Sequence, residues 1–190
     1  MAARIQAAGI EVDALEMRSP GNRLRGIMNL RRIIRTRQPA IIQTWLYHAD
    51  LIGAISAIGS GAKLVWNLRQ SNLHPTSSKR STRLTAKACA PLSRIFPNMI
   101  VCGSQSAYDV HAKMGYDSRK MTVITNGVDL SRFKPCDAAR AGIRNEFGIA
   151  SDTKLVGLIG RFDSQKDHPA FVRAAAAIAK ADNRVEFLLC

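Results

Sequence analysis

The stretch VITNGVDLSRFKP, residues 123–135, decides the fold reading, because it joins a strand to a turn and then to a proline-marked exit from a domain. Residues 121–125 are a short β-branched run suited to a buried strand. Asn126-Gly127 favours a turn with positive φ at the glycine, and Pro135 cannot donate to a continuing ladder. About twenty residues on, LVGLIGRFDSQKD restarts the same grammar with a strand over residues 154–160. The two stretches together predict a crossing between two α/β domains.

Working outward toward the amino terminus, the same alternation recurs. Residues 2–8 read as the tail of a helix stopped by Gly9, and residues 10–15 as the strand after it. Leu24, Ile27, Met28, Leu30, Ile33 and Ile34 repeat at helical spacing until Pro39, and residues 40–44 resume as a strand. Residues 48–58 form an apolar helix stopped by Gly59 and Gly61, 63–68 a strand, 79–93 a basic helix, and 99–102 a further strand. Ser104 or Ser106 caps a helix running to Met114, with Ser106 and Asp109 at capping-box spacing. Toward the carboxyl terminus come a helix over about 136–148, a helix over 169–181 and a strand over 184–190. This order implies a Rossmann-like parallel sheet covered on both faces, followed by the first β-α-β of a second such domain. One β-α-β unit cannot bury both faces of its own sheet, so the chain reads as a fragment short at both ends.

In such folds ligands sit outside the carboxyl ends of the strands, which selects the loops at 45–50, 69–75, 103–106, 126–129 and 161–167. Arg161 and Lys166 lie between a strand and a helix start, where unpaired N–H groups and a partial positive charge favour anions; a solvated surface loop is the other reading. His48 follows a strand directly, and can exchange a proton with a hydroxyl or simply satisfy the helix start, with Asp50 near enough to orient it or to complement the helix dipole. Arg69-Gln70-Ser71-Asn72 is a donor-rich loop that suits hydroxyls, phosphates or water alone.

Composition narrows the classes. With 190 residues, 46% hydrophobic, the chain is globular, and no twenty-residue apolar window or signal-peptide pattern is present, which gives a cytoplasmic default. Cys89, Cys102, Cys136 and Cys190 show no CxxC spacing, and His48, His74, His111 and His168 do not complete a zinc set. No DxD, Walker A, GxGxxG or GxSxG motif occurs. The net charge of +14 calls for an anionic partner: phosphorylated substrates, an anionic membrane surface or nucleic acid. The lack of a nucleic-acid motif and of aromatics placed for stacking argues against nucleic acid. The basic helix with arginines at 23, 25, 31, 32, 35 and 37 could lie on anionic lipid, or could be the solvated face of a helix whose apolar stripe packs on the sheet.

QTWLYHADLIGAISA (residues 43–57), NLRQSN (67–72), VITNGVDLSRFKP and GRFDSQKDHPAFVRAAA (160–176) together resemble the family 4 glycosyltransferases of the GT-B fold. The resemblance covers most of the chain. It implies a retaining, metal-independent hexosyltransferase without a cofactor, moving a sugar from a nucleotide-diphosphate-sugar donor to a sugar or lipid-linked acceptor in cell-surface polysaccharide or glycolipid synthesis. Its place would be the cytoplasm, peripheral on the inner face of the membrane. By motif position, Arg161 and Lys166 would bind the donor diphosphate, His48 would be the catalytic residue beside the sugar or acceptor, and Arg69, Asn72, Asn126, Gly127 and Asp129 would line the cleft or hold the acceptor. Residues 1–135 would be the acceptor-side domain lacking its first strand, 136–153 a linker and helix, and 154–190 the start of the nucleotide-sugar domain. Histidines common in relatives are replaced by Gln43 and Trp45, and neither the amino-terminal glycine-rich loop nor the carboxyl-terminal E-x7-E motif is present. Little transfer activity is therefore expected of the chain alone. A basic α/β module that binds a polyanion without catalysis, or an inactive remnant of the enzyme, are the competing readings.

Overall fold

The computed structural model describes residues 2–17, 19, 21–75 and 78–190 of the chain. The chain divides into two compact units, Met1–Asn126 and Gly127–Cys190. The first unit contains α1 (Ala2–Gln6), α2 (Asn22–Arg37), β1 (Ile41–Trp45), α3 (Tyr47–Ala57), β2 (Lys63–Leu68), α4 (Arg80–Leu92), β3 (Met99–Cys102), α5 (Gln105–Lys113) and β4 (Met121–Val123). The second contains α6 (Asp137–Glu146), β5 (Lys154–Leu158), α7 (His168–Ala181) and β6 (Val185–Leu189).

In the first unit the four strands are all parallel and follow chain order, β1-β2-β3-β4. Each crossover steps the same way, and right-handed crossovers that step the same way lie on the same side of the sheet. The core agrees. Leu64, Trp66, Leu68, Ile100, Cys102 and Met121 from alternate strand positions cluster with Tyr47, Ala54, Ala86, Cys89, Ala90 and Ala107 from the helices. The α2 helix packs on α3, and α3 on α4, so the three form one layer. On the opposite face Ile41, Trp45 and Met99 are exposed. Covering of both faces, expected from the sequence, is not found among the described residues.

The α3 helix sits close on β1 because Gly53 faces Thr44: a Cβ there would come within 2.5 Å of the Thr44 methyl. The α5 helix starts at Ser104, whose hydroxyl accepts the Ala107 N–H at 3.1 Å, while Asp109 accepts from Gln105 at 2.9 Å rather than closing a box with Ser106.

Residues 10–15 are not a strand. A strand needs a ladder partner, and this segment has none among the described residues; Arg37 holds it instead, pairing with Glu11 at 2.7 Å and Asp13 at 2.9 Å. The strand read over 121–125 stops at Val123. Gly127 is not among the residues with positive φ, so the Asn126-Gly127 turn is made without the left-handed glycine that the dipeptide suggests.

In the second unit β5 and β6 pair in parallel, with α7 crossing between them and packing on β6. Arg144 of α6 is buried and donates to the carbonyls of Ala150 and Thr153, tying the helix to the turn before β5.

Candidate active site

The carboxyl ends of the strands in the first unit carry its polar groups. Leu46, between β1 and α3, adopts φ 69° and ψ 157°, a region nearly reserved for glycine. That sharp turn lets β1 end and α3 begin within one residue. Leu46 donates its N–H to the Asn67 carbonyl at 3.1 Å, and its own carbonyl accepts from Asp50 at 2.9 Å.

His48 is displayed by this turn. It is exposed, and its Nε2 lies 3.4 Å from the Thr85 hydroxyl of α4. Asp50 does not orient it. Positions two apart on a helix face different ways, and Asp50 points into the core, fully buried, where the Thr44 hydroxyl donates to its Oδ1 at 2.5 Å. Burial pushes the Asp50 carboxyl up to about 7, against the opposing pull of the Thr44 hydroxyl and the Asn67 backbone. Its Oδ2 has no hydrogen-bond partner among the described residues.

Beneath the same turn lies a polar pair that the sequence reading missed. The Tyr47 hydroxyl donates to Nε2 of buried His111 at 2.8 Å, and His111 Nδ1 donates to the Ala107 carbonyl at 2.6 Å. Burial lowers the His111 pKa and raises those of Tyr47 and, to about 12, Cys89, which favours the uncharged form of each. Periodicity placed His111 on α5 but gave no sign that its ring faces the sheet.

Arg69 follows β2, reaches across the end of β3 and donates from a guanidinium nitrogen to Asn126 Oδ1 at 2.6 Å, beyond the end of β4. Gly103 makes room: a Cβ there would meet Arg69 Cδ at 3.1 Å. Three strand ends are bridged by these residues, and the Arg69 side chain is exposed, with guanidinium donors beyond the one given to Asn126. Asn72 has a different task. Its Oδ1 accepts the His74 N–H at 2.8 Å and its carbonyl accepts from Gln70 at 2.8 Å and Ser78 at 3.1 Å, which folds the loop on itself.

In the second unit, Asp129 closes a local turn, accepting from the Ser131 hydroxyl at 2.6 Å and from the N–H groups of Ser131 and Arg132; the Ser131 hydroxyl leads in holding its carboxyl below the usual range. Gly127 opens this unit. Arg161 is exposed just past β5. Lys166 ends a short 3₁₀ turn, Ser164–Lys166, and doubles back so that its side-chain carbons lie 3.5 Å from where a Gly160 Cβ would stand. Both cations are therefore at the carboxyl end of β5. The start of α7 is less open to an anion than its sequence suggests. Asp167 takes a left-handed conformation and its carboxylate accepts the Ala170 N–H at 3.2 Å, so the helix carries its own negative cap. Arg161 and Lys166 are left to supply the positive charge. A hollow of about 770 Å³ lined by Arg140, Ile143, Arg144 and residues 151–155 lies at the opposite, amino end of β5. Among the described residues, no three His, Cys, Asp or Glu side chains come together as a metal site, and no helix is long and apolar enough to cross a membrane.

The chain is similar to several known proteins. A D-inositol 3-phosphate glycosyltransferase of Nocardia farcinica is 32% identical over 84 residues, 44% of this chain and 18% of that protein. An Escherichia coli UDP-Gal:alpha-D-GlcNAc-diphosphoundecaprenol alpha-1,3-galactosyltransferase is 23% identical over 158 residues, 82% of this chain and 40% of that protein. Among solved structures, Anabaena Alr3699/HepE in complex with UDP-glucose superposes with a TM-score of 0.78 at 19% identity, covering 98% of this chain and 49% of that one. The chain thus spans less than half the length of these relatives, and the likeness to the last is one of fold, that of the GT-B glycosyltransferases. The family model of Glycosyltransferase Family 4 matches residues 3–132, which includes every strand of the first sheet and the Arg69–Asn126 bridge, and the chain belongs to that family.

Proposed function

We propose that this chain is the acceptor-side domain and the opening of the donor-side domain of a glycosyltransferase that moves a hexose from a nucleotide-diphosphate-sugar to a sugar or lipid-linked acceptor in cell-surface polysaccharide or glycolipid synthesis. The observation that carries it is the gathering of Arg69, Gly103 and Asn126 at the carboxyl ends of three parallel strands, within a chain of this family. A relative of the same fold holds UDP-glucose, which supports a nucleotide-sugar donor.

Arg161 and Lys166 are the groups suited to the donor diphosphate. Charge builds on the leaving diphosphate as the glycosidic bond breaks, and fixed cations stabilise it most in the transition state. Two such cations supply the charge that a divalent ion supplies elsewhere, which supports metal-independent transfer. Arg69 and Asn126 suit acceptor hydroxyls or a phosphate, and Gly127 and Asp129, which open the second unit, are further candidates for holding the acceptor. His48, exposed at the head of α3, is placed to hold or exchange a proton with a sugar hydroxyl. Retention of configuration and action at the cytoplasmic membrane face complete the reading.

Saturation-transfer NMR on the chain with UDP-glucose is the test. Magnetisation should reach the ribose and diphosphate-linked sugar protons and be displaced by UDP. No transfer at millimolar ligand would contradict the donor assignment.

A further inference from the structure

A neutral imidazole donates from one ring nitrogen and accepts at the other, and the neighbour that holds the ring decides which. For His48 the carboxylate nearest in sequence, Asp50, is not that neighbour, because it is buried in the core against Thr44. The neighbour is Thr85 of α4, whose hydroxyl oxygen lies 3.4 Å from His48 Nε2. Among the described residues His48 Nδ1 has no hydrogen-bond partner.

Thr85 has one hydroxyl proton, and the geometry commits it elsewhere. Its oxygen is 3.0 Å from the Ser81 carbonyl one helical turn back, and a carbonyl can only accept. At the longer contact the hydroxyl oxygen therefore accepts and His48 Nε2 donates. The reverse arrangement would give up the shorter bond for the longer. The pairing is also fastened along both helices. One turn further along α4 the Cys89 thiol donates to the Tyr47 carbonyl at 3.6 Å, with Cys89 and Tyr47 both buried. Residues 85 and 89 share a face of α4, so two successive turns of that helix grip the first two residues of α3. Leu46, just before them, is tied through its N–H to the Asn67 carbonyl of β2.

From this geometry we infer that Thr85 is a positioning residue for His48: it holds the ring in the Nε2–H tautomer and leaves Nδ1 as an acceptor for an O–H group of the ligand. His48 is exposed while Thr85 is half-buried, so the ring rests on α4 by its donor nitrogen and Nδ1 is the nitrogen left to a ligand. Set this way, the neutral ring takes a hydrogen-bond donor such as a sugar hydroxyl. It offers nothing to an ionised phosphate oxygen or a carbonyl, which have no proton to give. The division of labour with Arg69 follows, since a guanidinium only donates and suits the groups that His48 turns away. The tautomer stands on the local geometry alone, and its use for a sugar hydroxyl rests on the transferase reading.

The test is long-range proton–nitrogen correlation NMR of the histidine rings in the isotope-labelled 190-residue chain, at about pH 8.5, where an ordinary imidazole is neutral. His48→Gln assigns the His48 signals, and wild type is compared with Thr85→Val, Thr85→Ala and Thr85→Ser. Wild-type His48 should show a protonated, pyrrole-type Nε2 and an unprotonated, pyridine-type Nδ1. Valine keeps the shape of threonine and removes the acceptor. The ratio of the Nδ1–H to the Nε2–H form should then rise about fivefold, the equivalent of one hydrogen bond, and bring the two nitrogen shifts toward each other. Alanine should do the same, and serine, which keeps the hydroxyl, should restore the wild-type shifts. Circular dichroism verifies folding of each variant. A wild-type ring protonated at Nδ1 overturns the inference, as that would make Thr85 the donor. So do ring shifts that stay at wild-type values in the valine and alanine variants, or a change that serine does not reverse; a merely structural Thr85 would alter stability and leave the tautomer alone. UDP binding measured on the same samples reports separately on the transferase reading: its absence overturns the use of Nδ1 for a sugar hydroxyl and leaves the tautomer in place.

Discussion

Arg69 donates to Asn126 at 2.6 Å across the end of β3, and Gly103 is the residue whose missing Cβ lets the guanidinium lie there. The bond is exposed, and an exposed hydrogen bond of this kind contributes little to folding. Arg69→Ala and Asn126→Ala should each lower the unfolding free energy by less than about 1 kcal/mol. Urea unfolding followed by tryptophan fluorescence measures it, since both tryptophans, Trp45 and Trp66, are in the first unit. A loss of about 2 kcal/mol or more would make the pair a structural clasp rather than a site element.

Asp50 gives stability a defined pH dependence. Its folded pKa is raised to about 7 from an ordinary value of 3.8, so between those values the folded chain holds a proton that the unfolded chain has released. The contribution is complete below about pH 4 and is lost as pH rises to about 7, with a slope of at most about 1.4 kcal/mol per unit. His111, with its lowered pKa, acts in the opposite sense, its contribution being lost as pH falls through and below its ordinary value. Asp50→Asn isolates the first effect. The variant should gain on wild type steadily from pH 4 to 7 and no further above, and a pH-independent difference would show that Asp50 is charged in the fold.

The Tyr47–His111 pair is fully enclosed, so breaking one side costs more than removing both. Tyr47→Phe strands His111 Nε2 without a donor and should destabilise by about 1–3 kcal/mol. Tyr47→Phe/His111→Leu should be less destabilised than the sum of the two single variants, because no polar atom is left stranded. Strict additivity in the double-mutant cycle would argue that the hydrogen bond is not formed.

Leu46 stands where glycine fits better. Leu46→Gly should exceed Leu46→Ala in stability by about 1 kcal/mol, the reverse of the order in a helix or strand, because alanine keeps the Cβ that φ 69°, ψ 157° disfavours. Thermal unfolding of the two variants decides it, and alanine above glycine would mean that the turn carries no strain.

Local pattern carried the reading furthest where an element's own residues determine it. The strand at 63–68 and a serine cap at 104 or 106 were legible, because strand composition and capping are written within a few residues. What depends on a partner was not. Residues 10–15 have strand composition but no ladder. Asp50 looked like a helix-start carboxylate until the fold set Thr44 against it, and the Arg69 bridge joins positions 57 apart in sequence through a glycine between them. The helix start after Lys166 has the unpaired N–H groups that favour an anion, yet the left-handed backbone of Asp167 turns its own carboxylate onto the helix.

The placement of Arg161 and Lys166 at one end of β5 is where the donor assignment stands or falls. Isothermal titration of UDP into the wild-type chain and into Arg161→Ala, Lys166→Ala and Arg35→Ala measures it directly. Each of the first two should weaken UDP binding tenfold or more, the loss of about one charge-assisted hydrogen bond at roughly 1.5–3 kcal/mol, while Arg35→Ala should match wild type. Four superimposable titration curves would contradict it.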